Sequence, residues 1–313
     1  MAAKEQGDTY DVVIIGAGPA GMTAAIYGVR SGMKVLLLEA MMAGGQVSES
    51  PLIENYPGFP KTDGPTLIQA FRKHVEEYTV INEGEEVVDV AQEGDLFRIK
   101  TDSAEYASHA IIFATGARHK KLGVPGEEEF AGKGVSYCAT CDGFFFRGKK
   151  VIVVGGGNTA LTEAMYLLDT GVDVTVVHRR DEFRADRTLS ERYFARGGKV
   201  IWNSVVEEIK GDERVRSVVL RNRKDGSVEE MDVEGVFVSV GIVPNSDLAV
   251  KLGVAVDQSG YIITDKQQRT NVPGVYAAGD VTGGVRQIVT GCGEGAVAAI
   301  TAYEEVTKHL WGQ

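Results

Sequence analysis

Apolar runs and helical periodicity alternate along this 313-residue chain in an order that occurs twice. Residues 10–39 read as an apolar strand, a glycine-rich turn, a helix and a second apolar strand, and residues 149–180 follow the same plan. Short apolar runs joined through helices are typical of buried parallel sheets. The repeat predicts an α/β protein with two Rossmann-like units.

Other stretches show different periodicities. A helix is predicted from about Pro65, and alternating strands are predicted over 85–107 and about 214–239, with a further strand over 109–117. The stretch after residue 273 offers a strand, an aspartate and a helix of small residues. The predicted helix has its core-facing residues at helical spacing: Leu67, Ile68, Phe71, Val75 and Tyr78.

The first glycine-rich turn fits a dinucleotide cradle. It contains Gly16, Gly18 and Gly21 in the pattern GxGxxG, which allows a tight turn, close approach of a pyrophosphate and close packing of helix on strand. Glu39 lies 23 residues after Gly16, near the place of a ribose-binding acid. Such a carboxylate repels a 2′-phosphate, so we expect an unphosphorylated adenosine, as in FAD or NAD.

The second turn carries the opposite charge. Gly155 and Gly157 begin it, and the same 23-residue count leads to His178, followed by three arginines, Arg179, Arg180 and Arg184. Guanidinium groups bind phosphate oxygens through paired, charge-assisted hydrogen bonds, so this cradle is predicted to prefer the 2′-phosphate of NADP. The alternative is a solvated basic segment balanced by neighbouring acidic residues.

The last stretch is too short to form a domain of its own. We therefore expect it to complete the first unit, with the second unit inserted. The predicted FAD-binding domain comprises residues 1–118 and 247–313, and the predicted NADPH-binding domain comprises residues 119–246. Turn-rich connectors at 118–126 and 241–247 join them.

Composition narrows the class of protein. Hydrophobic residues make up 43% and charged residues 25%, which is ordinary for a globular chain. The formal net charge is −11, and no long run of Lys or Arg is present, so we expect no nucleic-acid partner. The polar N-terminus and the lack of a long apolar stretch predict a cytoplasmic protein without a membrane span.

Two of the three cysteines form a CxxC pair. Cys138 and Cys141 lie in "CATCDG", and only Cys292 remains. Zinc normally takes four ligands, and the five histidines show no paired spacing, so a zinc site is disfavoured. One thiol of a CxxC pair commonly has a lowered pKa, which suits dithiol–disulfide chemistry.

Several motifs together resemble one enzyme family. In order they are "GAGPAG", "ATG", "CATCDG", "GGGNTA", "HRRDEFR" and "GVYAAGD". This set resembles the low-molecular-weight NADPH-dependent thioredoxin reductases of bacteria, archaea and plants, over nearly the whole chain. The resemblance implies FAD in the first domain, NADPH in the second, a redox disulfide between Cys138 and Cys141, a homodimer, and thioredoxin or a thioredoxin-like protein as partner.

The resemblance also implies roles for single residues. Asp142 matches the proton donor beside the dithiol, and Cys141 is expected to lie nearer the flavin and to form the mixed disulfide with the partner. A further set is expected to contact FAD: Gly45, Gln46, Asn55, Asp280 and Gln287.

Two other functions fit parts of the pattern. A dithiol oxidase of the same fold would pass electrons to oxygen, but it has little use for an NADP clamp. A non-catalytic flavoprotein sensor would bind a partner according to its disulfide state. Both remain alternatives to the reductase at this point.

The position of the dithiol has a mechanical consequence. Cys141 precedes Gly155 by 14 residues, so the dithiol belongs to the predicted NADPH domain, although its electrons come from flavin held by the other domain. Flavin must meet nicotinamide as well as the dithiol. We therefore expect the inserted domain to rotate about its two connectors.

Overall fold

The computed structural model describes residues 9–50 and 53–311, and these form two compact units. One unit runs to Arg118 and resumes at Val243, and the other is His119–Ile242. The N-terminal residues 1–8, used above to predict location, lie outside the described part. None of the described helices combines the length and apolarity needed to cross a bilayer.

Seven helices and seventeen strands make up the described chain. The helices are α1 (Pro19–Arg30), α2 (Gly64–Glu76), α3 (Ala139–Asp142), α4 (Asn158–Asp169), α5 (Arg187–Ala195), α6 (Asp247–Lys251) and α7 (Ile288–Trp311). The strands are β1 (Thr9–Ile15), β2 (Val35–Glu39), β3 (Ile81–Glu83), β4 (Val87–Glu93), β5 (Leu96–Thr101), β6 (Glu105–Phe113), β7 (Ala117–His119), β8 (Val135–Ser136), β9 (Lys150–Gly155), β10 (Asp173–Val177), β11 (Lys199–Ile201), β12 (Ser204–Gly211), β13 (Val215–Asn222), β14 (Val228–Asp232), β15 (Gly235–Ser239), β16 (Ile242–Pro244) and β17 (Val275–Ala277).

A parallel sheet forms the centre of the discontinuous unit. Its strands lie in the order β3-β2-β1-β6-β17, and β4 and β5 continue from β6 as an antiparallel meander. Val12, Val13 and Ile14 of β1 are completely buried, as expected for a central strand covered on both faces. Helix α7 packs against α1, so the last helix of the chain covers the first cradle's helix.

The inserted unit repeats this plan. Its parallel sheet has the order β11-β10-β9-β15-β8, and β12, β13 and β14 form a separate antiparallel sheet. The predicted α/β class with two Rossmann-like units is therefore confirmed. The β region expected over 214–239 begins earlier, at Ser204, and its last strand joins the parallel sheet.

The chain passes between the units through β7 and β16, which pair with each other. The discontinuous unit resumes at Val243, and the domain boundary expected at 246/247 stays a prediction. Local bonds anchor the residues that follow β16: the Asn245 side chain donates to the Thr115 carbonyl (2.8 Å), and the Ser246 hydroxyl donates to the Gly260 carbonyl (2.7 Å). Both residues are thereby held in the discontinuous unit.

Candidate active site

In the first glycine turn, Gly16 and Gly21 are closely packed and Gly18 faces open space. Gly16 has φ +103°, which favours glycine, and a Cβ at Gly21 would lie 1.8 Å from the Gly16 carbonyl oxygen. A Cβ at Gly18 would meet no atom within 4 Å. Helix α1 begins directly after Gly18 without a capping side chain. This leaves open space beside a helix N-terminus, the arrangement that accepts a pyrophosphate.

Glu39 lies beside this turn at the end of β2. Its carboxylate accepts from the N–H of Ala17 (2.8 Å) and from the N–H of Met41 (3.1 Å). The acid predicted from the sequence is therefore next to the cradle, where an adenosine ribose would lie. The residues present fit the adenosine half of FAD.

The other residues expected to contact FAD fall into two groups in the same unit. The Asn55 amide donates to Gln287 Oε1 (3.0 Å), which joins two residues 232 positions apart. A Cβ at Gly45 would lie 3.7 Å from the Gly18 Cα, and the Gln46 amide donates to the Ala117 carbonyl. The fold thus brings Gly45 to the glycine turn and Asn55 to Gln287.

Asp280 begins a short 3₁₀ turn after β17. Burial raises the pKa of its carboxyl, and the nearby Arg286 opposes this. Glu294 of α7, which sequence reasoning missed, accepts from the N–H of Gly279 (2.7 Å). Glu294 therefore fixes the backbone that carries Asp280. The sequence signal was weak, since an acid on a helix of small residues is common.

The second glycine turn has the same construction. A Cβ at Gly155 would lie 2.4 Å from the Ser239 carbonyl oxygen, whereas one at Gly157 would meet no atom within 4 Å. Helix α4 begins directly after Gly157, again without a capping side chain. Open space again adjoins a helix N-terminus, so this turn also fits a pyrophosphate.

The basic segment folds back over this second turn. The Arg184 N–H donates to the Gly156 carbonyl (2.7 Å). Asp186 and Asn158 bond reciprocally: the Asn158 amide donates to Asp186 Oδ2, and the Asp186 N–H donates to Asn158 Oδ1, both at 2.8 Å. Arg179, Arg180 and Arg184 are exposed beside the turn. Three guanidinium groups are thus available to a phosphate.

His178 takes a different place from these arginines. It is only 5% exposed, and a Cβ at Gly156 would lie 2.2 Å from its Nδ1 atom. Its Nε2 is buried without a hydrogen-bond partner among the described residues, and its ring lies near those of Phe183 and Trp202. Burial lowers the pKa of His178, and the arginines lower it further. His178 therefore supports the turn from within.

The CxxC pair forms a disulfide at the start of α3. The sulfurs of Cys138 and Cys141 are 2.10 Å apart, with 5.3 Å between the Cα atoms. Cys138 is half-buried and Cys141 is exposed. Among the described residues, no group of three His, Cys, Asp or Glu side chains is arranged to hold a metal ion. The side chain of His309, one of the five histidines considered above, lies outside the described part.

A carboxyl and a hydroxyl adjoin the disulfide. Ser136 Oγ accepts from the Cys138 N–H (3.1 Å) and donates to Asp142 Oδ2 (2.6 Å). Burial raises the pKa of Asp142, and the hydrogen bond from Ser136 opposes this rise. A raised pKa suits a carboxyl that must carry a proton. Sequence reasoning missed Ser136; its position two residues before Cys138, at the end of a strand, was the available signal.

Comparison with known proteins identifies the family. The model of the pyridine nucleotide-disulphide oxidoreductase family matches residues 10–295. Thioredoxin reductases from Peptoclostridium acidaminophilum and Listeria innocua are each 45% identical to the chain, covering 97% and 98% of it and 99% and 97% of their own lengths. The crystal structure of thioredoxin reductase from Streptococcus pyogenes superposes with a TM-score of 0.92 at 43% identity, covering 97% of this chain and all of that one. The chain therefore belongs to the pyridine nucleotide-disulphide oxidoreductases and, within them, to the low-molecular-weight thioredoxin reductases.

Proposed function

We propose that this protein uses NADPH and FAD to reduce the Cys138–Cys141 disulfide, which then reduces the disulfide of thioredoxin or a thioredoxin-like protein. The observation that carries the proposal is the disulfide itself, bordered by a half-buried carboxyl and located in the unit whose glycine turn adjoins three arginines. The related thioredoxin reductases support the same assignment.

FAD is assigned to the discontinuous unit. Gly18 would admit its pyrophosphate, Glu39 would accept from its ribose, and the linked pair Asn55 and Gln287 would lie against the rest of the cofactor. Bound flavin supplies the two-electron chemistry that joins a hydride donor to a disulfide. The protein's contribution is to hold and orient it.

NADPH is assigned to the inserted unit. Gly157 would admit the pyrophosphate, and Arg179, Arg180 and Arg184 would bind the 2′-phosphate. His178 supports the turn beneath them, so we assign the phosphate preference mainly to the arginines. This is the basis for proposing NADPH over NADH.

The dithiol step uses groups on this chain. Reduction of the disulfide needs protons at sulfur, and we propose that Asp142 supplies one; its raised pKa and its bond from Ser136 beside Cys138 support this role. The reduced pair then presents a thiolate to the partner's disulfide, and the second thiol resolves the mixed disulfide. The greater exposure of Cys141 supports it as the attacking residue, in keeping with the family resemblance.

Further parts of the proposal come from the relatives and the sequence. We propose a homodimer, a cytoplasmic location, and rotation of the inserted unit about β7 and β16. A short cross-link between the units tests the rotation. We expect the locked protein to lose steady-state turnover and to recover it when the link is cleaved; normal turnover in the locked state would contradict the rotation.

The decisive assay measures NADPH consumption with oxidised thioredoxin and a disulfide dye. We expect consumption to require both thioredoxin and the CxxC pair. A dithiol oxidase would instead consume oxygen with a small dithiol and ignore NADPH. A non-catalytic sensor would turn over neither substrate.

A further inference from the structure

The hydroxyl of Ser136 occupies a position that constrains both of its neighbours. Ser136 is 5% exposed, at the end of β8, and its oxygen lies between the Cys138 N–H (3.1 Å) and Asp142 Oδ2 (2.6 Å). The N–H of Cys138 uses a lone pair of the hydroxyl oxygen, so the single hydrogen can still be donated. It has two acceptors within reach, Asp142 Oδ2 at 2.6 Å and the Cys138 carbonyl at 3.4 Å, and the shorter contact favours the carboxyl. The hydroxyl thus ties the backbone of one redox cysteine to Asp142.

We propose that Ser136 is a positioning residue that holds Asp142 in place to protonate the dithiol. This proposal deepens the proposed function and rests on it. The hydrogen bond occupies Oδ2 and leaves Oδ1 to carry and deliver the proton. It also stabilises the carboxylate that remains once the proton has left.

The proton step balances without a further reactant. The Cys138–Cys141 bond breaks when it takes up an electron pair, which bound flavin would supply in the proposed function. One sulfur receives the Asp142 proton and becomes a thiol, while the other keeps the negative charge as a thiolate. Asp142 becomes a carboxylate, and solvent later returns its proton.

The surroundings of Asp142 leave Ser136 as its main polar partner. Helix α4 packs on this turn and brings Leu167 and the titratable Tyr166 against Gly143. Burial raises the pKa of Asp142, and the hydrogen bond from Ser136 lowers it. Removing the hydroxyl should therefore act on Asp142 directly.

A second buried serine provides a matched control. Ser217 of β13 is 6% exposed and donates to Glu230 Oε1 at 2.6 Å, the same distance as in the Ser136 pair. It lies in the same unit, on the antiparallel sheet β12-β13-β14. The Glu230 carboxylate is itself half-exposed and also accepts from Lys210 (3.0 Å). Ser217→Ala therefore reports the general effect of deleting a buried serine hydroxyl that donates to a carboxylate away from the dithiol.

The experiment compares the wild-type holoenzyme with five variants, each prepared as holoenzyme: Ser136→Ala, Ser136→Thr, Ser217→Ala, Asp142→Asn and the Ser136→Ala/Asp142→Asn double variant. Flavin content and circular dichroism check folding. Turnover with NADPH and thioredoxin is measured against pH, and the Asp142 carboxyl is titrated directly by ¹³C NMR, with Asp142→Asn identifying its signal.

We expect Ser136→Ala to lose about tenfold in turnover, the size of one hydrogen bond to a charged group. Its Asp142 titration and the alkaline limb of its pH profile should both move to higher pH. Ser136→Thr keeps the hydroxyl, so its turnover and its Asp142 titration should be close to those of wild type, and Ser217→Ala should change neither quantity. The Ser136→Ala/Asp142→Asn double variant should turn over no more slowly than Asp142→Asn alone.

Two results would overturn the proposal: an Asp142 titration unchanged in Ser136→Ala, or losses that multiply in the double variant. If the wild type failed to turn over NADPH with thioredoxin, the proposed function would fall. The NMR titration would still decide whether Ser136 governs Asp142.

Discussion

Replacing one glycine in each cradle separates cofactor binding from folding. Gly18 has φ −73° and Gly157 has φ −100°, which are conformations that alanine adopts without strain. A Cβ at either position meets no protein atom within 4 Å. The same methyl group would occupy the space through which each pyrophosphate approaches the backbone.

The alanine methyl group should have opposite effects on the stability of the protein and on its affinity for the cofactor. Gly-to-Ala at a compatible φ stabilises a protein by about 0.4–1 kcal/mol. Overpacking against a ligand costs about 1–3 kcal/mol, which is roughly a five- to 150-fold loss of affinity. Gly21→Ala provides the contrast, because its Cβ would lie 1.8 Å from the Gly16 carbonyl oxygen and should destabilise the fold itself.

Thermal unfolding of the apoprotein and titration with FAD and NADPH measure these effects separately. We expect Gly18→Ala to unfold no earlier than wild type yet to bind FAD weakly. Gly157→Ala should keep FAD and lose affinity for NADPH. Full FAD affinity in Gly18→Ala, or weakened FAD binding in Gly157→Ala with NADPH affinity intact, would refute the assignment of the cradles.

Three other predictions follow from the described contacts. The double variant Arg179→Ala/Arg184→Ala should raise the KM for NADPH at least about tenfold and leave the KM for NADH nearly unchanged. The control Arg216→Ala removes a guanidinium bound to Asp212 and should change neither KM. An equal rise of the KM for both nucleotides would contradict a 2′-phosphate site. Cys138→Ser or Cys141→Ser should abolish thioredoxin reduction while NADPH oxidation by a small quinone continues, and thioredoxin turnover in either variant would exclude the disulfide route. Burial raises the pKa of Glu294 in the folded protein, so the folded state binds that proton more tightly than the unfolded state and loses stability as pH rises from the ordinary to the raised pKa. Glu294→Gln lacks this titration, so its unfolding temperature should rise relative to that of wild type as pH increases over this range. A difference in unfolding temperature that does not change with pH would contradict this.

Features that depend on short sequence motifs or on hydrophobic periodicity could be predicted from the sequence. The glycine spacing predicts a strand, a turn and a helix at each cradle, and both turns have that construction. Helical periodicity predicts the core residues of α2, and Leu67, Ile68 and Val75 are buried as expected. The CxxC pair follows from the chemistry of a redox disulfide. These features depend on neighbours that are close in sequence.

Features set by distant residues could not be predicted in this way. The sequence pattern groups His178 with three arginines, whereas the buried environment of its side chain depends on Gly156 and on Trp202, which is 24 positions away. The anchoring of the residues that follow β16 depends on bonds from Asn245 and Ser246 to Thr115 and Gly260. Ser136 gained its role only from the turn that brings Asp142 to its hydroxyl.

In the proposed reaction an electron pair passes from NADPH through flavin to the Cys138–Cys141 disulfide. Anaerobic titration of the holoprotein, first with NADPH and then with oxidised thioredoxin, follows this route in one experiment. We expect NADPH to bleach the flavin absorbance and oxidised thioredoxin to restore it. A flavin that NADPH does not bleach, or that stays bleached after oxidised thioredoxin is added, would exclude this electron route.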